Sequence, residues 1–158
     1  MKDSLRTGFT FGLTSAEITT LGLMVGLQSG THSRIVVLAG ILTIAIADAF
    51  SDALGIHVSE EAENKHTAKQ IWAATISTFL AKFLFAMTFV LPVILFTLST
   101  AIVVSLIWGL SILSLLSYII AKTQNEPPWK IVAEHLLISI VVIGLTHWVG
   151  DWLGKLSA

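Results

Sequence analysis

Between Phe83 and Ala121 the chain holds 39 consecutive residues without one Asp, Glu, Lys, Arg or His. As a single helix rising about 1.5 Å per residue, that run would be about 58 Å long, nearly twice the roughly 30 Å hydrocarbon core of a bilayer. It must therefore fold back on itself. Pro92 lacks an amide donor and clashes with the preceding turn, so it is the expected break. The run then divides into a span of residues 70–91 and a span of residues 93–121, joined by a tight hairpin.

The same length criterion finds three more spans, at residues 8–27, 34–56 and 131–152. The expected fold class is thus all-α, a single polytopic membrane domain over residues 1–158 with five transmembrane helices. Composition agrees: 54% of the 158 residues are hydrophobic and 12% charged, where soluble domains carry about 25% charged residues. The formal net charge of −1 leaves no basic face for nucleic acid, which is excluded as a partner. With no cysteine, thiolate chemistry and disulfides are excluded, and any metal must be held by oxygen, imidazole or thioether. The apolar stretch after Arg6 runs past Leu27 with no small-residue cleavage site, so it reads as a first span rather than a removable signal.

Orientation follows from the basic residues, which stay on the cytosolic side. With the N-terminus cytosolic and the C-terminus outside, the inner segments hold Lys2, Arg6, Lys65, Lys69, Lys122 and Lys130, and the outer ones only Arg34 and Lys155. Trp72, Trp129, Trp148 and Trp152 fall near span ends, where interfacial aromatics belong. Trp108 alone sits mid-span.

Charged groups inside a span cost about 2.5–3.5 kcal/mol on insertion scales and usually face a bundle interior or a cavity. Four such residues stand out: Glu17, Asp48, Asp52 and Lys82. By helical rise Glu17 lies about 13 Å from the inner face and Asp48 about 12 Å, so the two share a level. Asp48 and Asp52, four apart, project from one helix face. Met24 lies seven residues along the stripe of Glu17. The expectation is a seam at which Glu17, Asp48, Asp52 and Met24 hold a metal ion, because carboxylates at such range repel unless a cation sits between them. Lys82 is a candidate counter-ion to Asp48, the alternative to a cation site.

The acidic stretch 57–69 is read as a short cytosolic linker, whose His57, Glu60, Glu61, Glu63 and His66 form a candidate cation entrance. Glu134, His135, His147 and Asp151 are read as interface or capping groups. Gly8 with Gly12, and Gly22 with Gly26, are small-xxx-small pairs that permit close helix approach and mark the first span as interior.

The run Thr10 to Leu27, then Ala39-Gly40, Ala47-Asp-Ala-Phe-Ser-Asp-Ala-Leu-Gly55 and Ser59-Glu-Glu-Ala-Glu63, resembles the vacuolar iron transporter family, which includes yeast cross-complementer and plant nodulin-like members. The resemblance covers roughly residues 8–63. It implies a five-span homodimer whose first two spans line a central path, and export of Fe²⁺ or Mn²⁺ from the cytosol in exchange for protons. The family's large cytosolic metal-binding domain is replaced here by residues 57–69. Its Asp-Gly-Leu corresponds to Phe11-Gly12-Leu13, and its Ser-Met pair to Ser51-Asp52. Carboxylate in place of thioether favours harder ions.

The expected function is therefore divalent cation transport, Mn²⁺ or Fe²⁺ first, with no permanent cofactor and no enzymatic activity, in the inner membrane of a prokaryote. Two other classes compete. Asp48-x-x-x-Asp52 is similar to the last aspartates of metal-dependent membrane lipid phosphotransferases, but the upstream Asp-Gly-x-x-Ala-Arg element is missing. A non-transporting membrane packing protein with neutral buried acids is the third.

Overall fold

The computed structural model describes residues 1–156. These residues form five helices, each long and apolar enough to cross a membrane, and among them there is no strand. We label them α1 (Lys2–Thr31), α2 (Arg34–Ala62), α3 (Ala68–Leu95), α4 (Leu98–Gln124) and α5 (Pro128–Leu156).

Local chemistry explains the ends. α1 closes at His32 (φ 51°) and α4 at Asn125 (φ 57°), both left-handed C-caps that turn the chain away from the helix axis. α3 opens on a capping box: the Thr67 hydroxyl accepts from the Gln70 amide, and the Gln70 side chain accepts from the Thr67 amide at 2.9 Å. Pro128 begins α5 at its first position, where a missing amide costs nothing. Residues 57–62 of the acidic stretch continue α2, so the linker proper is only residues 63–67.

The long uncharged run does fold back, but not at Pro92. α3 loosens at Phe89, whose amide bonds to Ala86 O at 3.2 Å, and resumes over Val90–Leu95. Pro92 therefore falls in the first turn of the resumed segment, where its amide would have had no partner. The chain reverses at Phe96 and Thr97, which are both extended, and α4 starts at Leu98.

α1 is the hub. It packs on all four other helices, most extensively on α3 and α5. α2 packs on α3, α3 on α4, and α4 on α5, so the outer helices form an open ring around it. Both glycine pairs serve this packing within the chain. A Cβ on Gly8 or Gly12 would strike the Ala74 or Thr78 carbonyl of α3, and one on Gly22 would meet Val142 of α5 at 2.9 Å. Half of the most apolar stretch of α1 is buried, against 6% for α5, although α1 is the less apolar of the two. A helix with its polar residues inside and its apolar residues outside suits a lipid surround rather than water. Towards one end, Leu21, Met24 and Val25 of α1 meet Val37, Ile41, Phe89, Val93, Ala101 and Ile102 in a dry core.

Candidate functional site

Halfway along the bundle the character changes. α2 is α-helical from Arg34 to Thr43, makes a π turn over Ile44–Asp48, and is α-helical again from Ala49. Such single π turns insert one residue into the helix and recur at functional sites. This one ends on Asp48, and the next helical turn carries Asp52. Across the seam, Lys82 of α3 is 1% exposed, and its ammonium lies 2.5 Å from Asp48 Oδ2 and in direct contact with Asp52 Oδ2. Lys82 also donates to Ser15 Oγ of α1 at 2.7 Å, and that hydroxyl in turn donates to Asp52 Oδ2 at 2.6 Å.

The ammonium thus donates to Asp52 and Ser15 and makes an ion-pair contact with Asp48 Oδ2, which has no hydrogen-bond partner among the described residues. The carboxylates are not sealed. Asp48 is 30% and Asp52 20% exposed at the side chain, and Asp48 opens on a lateral groove of about 770 Å³ between α1 and α2, lined also by Thr19, Leu23, Thr43 and Ala47. With both acids ionised, the cluster carries one negative charge in excess of what Lys82 neutralises.

Glu17 does not join it. Residues two apart on a helix are separated by about 200°, so when Ser15 faces α2 and α3, Glu17 faces α4. There Glu17 Oε2 lies 2.7 Å from where a Cβ on Gly109 would stand, beside Leu21 and Phe89. Met24 shares the stripe of Glu17, as its spacing requires, but that stripe leads into the apolar core. The expected four-ligand seam of Glu17, Asp48, Asp52 and Met24 is therefore split by the helix that was to carry half of it. Among the described residues no three His, Asp or Glu side chains converge. The counter-ion role of Lys82 is seen directly.

The candidate entrance is also divided. His57 Nδ1 pairs with Thr75 Oγ1 at 2.9 Å and packs edge-on against Trp72, with ring centroids 4.8 Å apart. His66 pairs with Glu60 at 2.7 Å. Glu63 meets Lys65 at 3.7 Å, and Glu61 is exposed. Of the residues read as interface groups, His135 bonds Ser117 at 2.7 Å, His147 bonds Ser29, and Asp151 accepts from Lys155 at 2.7 Å, while Glu134 is exposed.

Sequence reasoning missed Ser15, Gly109 and the π turn. Ser15 was recoverable, because it lies seven and three residues after Gly8 and Gly12 and so shares their α3-facing stripe. The π turn has no residue signature. Comparison with known proteins gives no match to any family model and none to a curated protein, so the reading of this site rests on its own geometry and on the sequence.

Proposed function

We propose that this chain is a multi-pass membrane protein with a cytosolic N-terminus, a divergent member of the vacuolar iron transporter family acting as a homodimer in a prokaryotic inner membrane. It exports a divalent cation, Mn²⁺ or Fe²⁺ first, in exchange for protons. The observation that carries this reading is the Lys82 ammonium, buried between two partly exposed carboxylates, of which Asp48 opens on a groove. A buried lysine at this depth needs partners, but one acid would balance it. The second acid leaves a surplus negative charge, which a mobile cation can use.

In this reading Lys82 is a tethered cation that holds the place of the transported one. A divalent ion reaching Asp48 and Asp52 along the groove displaces the ammonium, and protons on the carboxylates, or return of the ammonium, release the ion. Carboxylate oxygens favour Mn²⁺ over softer ions, and carboxylates bind metal only when deprotonated, which couples metal to protons.

Reconstitution tests it. In vesicles loaded with a Mn²⁺-sensitive dye and given a pH gradient, the unsubstituted protein moves Mn²⁺, while Asp48→Asn and Asp52→Asn abolish the flux. A packing role is favoured by the ion pairing of Lys82 with Asp48 and Asp52 within the chain itself. That role is the correct one if Asp48→Asn carries Mn²⁺ as fast as the parent, or if neither carries any.

A further inference from the structure

The opposite face of α1 holds a second polar site with different chemistry. Glu17 is completely buried, and neither of its carboxylate oxygens has a hydrogen-bonding partner among the described residues. Thr20, one turn further along α1, and Ser105, one turn from Gly109 on the facing side of α4, are also buried with unpartnered hydroxyls. α1 and α4 run antiparallel, with Arg6 bonded to Thr123 near one end and Leu21 against Gly109 midway. One turn forward on α1 and one turn back on α4 therefore lead to the same level.

The two hydroxyls are unusual here. Thr19, Thr78, Ser117 and Thr146 each donate to the carbonyl four residues back, whereas Thr20 and Ser105 do not, and so remain available to a guest group. Gly109 makes the room: a methyl there would sit 2.7 Å from Glu17 Oε2 and 2.8 Å from Leu21 Cδ1.

Among the described residues no fixed cation reaches this place. From α2 and α3, Asp48, Asp52 and Lys82 are engaged with one another and Ser15 on the far side of α1. On α4 the titratable groups are Tyr118 and Lys122, about 2.5 and 3.6 turns beyond Gly109. On α5, His135 and His147 bond Ser117 and Ser29, and Glu134 and Asp151 lie out towards the helix ends. A charged carboxylate buried without a partner is heavily penalised.

We infer that Glu17, with Thr20 and Ser105, forms a proton-binding site between α1 and α4, distinct from the Lys82 cluster. Its ligand is a proton carried as a neutral carboxyl, whose O–H has two hydroxyl oxygens within a turn. The binding claim stands alone. Its consequence for transport, that Glu17 carries the exchanged proton, rests on the reading above.

Infrared difference spectroscopy on the purified full chain tests the binding claim without any transport assay. A protonated-carboxyl C=O stretch is expected at neutral pH, shifted in D₂O, lost in Glu17→Gln and retained in Asp48→Asn. Gly109→Ala, which crowds Oε2 but leaves the acid in place, shifts the band. A parent protein without the band, a band that survives Glu17→Gln, a band that Gly109→Ala leaves unmoved, or one that sodium alone abolishes, overturns the proposal. In vesicles, Glu17→Gln is expected to lose pH-driven Mn²⁺ accumulation while keeping passive Mn²⁺ flux. Should the infrared result hold and no variant, nor the parent, move Mn²⁺, the exchange reading fails and the proton site stands.

Discussion

Ser15 and Glu17 are two residues apart on α1, yet they belong to opposite electrostatic worlds. On the Ser15 side one ammonium meets two acids and a hydroxyl. On the Glu17 side a carboxyl group and two hydroxyls are buried with no donor directed at them. Both arrangements keep a low-dielectric interior close to neutral. One does it by ion pairing, the other, on the inference above, by holding a proton. The lesson is that depth along a helix does not define a site. Azimuth does, because it selects the neighbouring helix that supplies the partner.

The contrast can be broken most forcefully at Lys82. Lys82→Met leaves Asp48 and Asp52 facing one another with no counter-charge, and stability in detergent is expected to fall by about 3–5 kcal/mol, the usual cost of breaking a buried pair from one side. Adding Asp48→Asn and Asp52→Asn to the same chain should restore most of that loss. If the triple variant is no more stable than Lys82→Met, the cluster is not the source of the effect.

Next comes the close α1–α4 contact over Glu17. Gly109→Leu overfills the α1–α4 contact and is expected to cost about 1–3 kcal/mol. Glu17→Gln, near-isosteric with a neutral carboxyl, should stay within about 1 kcal/mol of the parent, because no ion pair is lost. A loss as large as that of Lys82→Met would mean that Glu17 is charged and paired, and the two faces would no longer differ in kind. Thr75→Val, which removes the His57 bond, is expected to cost about 0.5–1.5 kcal/mol. Thermal unfolding in one detergent, with all variants side by side, reads each of these.

Much of this was legible in the sequence. The number of helices follows from apolar run length, since few other folds accommodate residues 83–121. The pairing of Asp48 with Asp52 follows from their spacing of four, and Lys82 was recognisable as the one basic group well inside a span. The hairpin was misplaced because proline disfavours only the helix interior, and a loosened turn at Phe89 puts Pro92 where its missing amide is harmless. The metal seam was misjudged for a different reason. Glu17 and Asp48 were matched by depth alone, whereas the stripe of Gly8, Gly12 and Ser15 already pointed at one neighbour, and that of Leu13, Glu17, Leu21 and Met24 at another. The identity of each neighbour depends on how five helices pack, which spacing within one helix does not encode.

Mn²⁺ titration of the purified parent, Lys82→Met and Asp48→Asn, followed by the loss of the free-ion paramagnetic resonance signal, is the most direct examination of whether the ammonium holds the place of a transported ion. Lys82→Met should bind Mn²⁺ more tightly than the parent, its tethered competitor being gone, and should regain thermal stability as the metal fills the site, while Asp48→Asn should bind none. Equal affinities in all three proteins would contradict it.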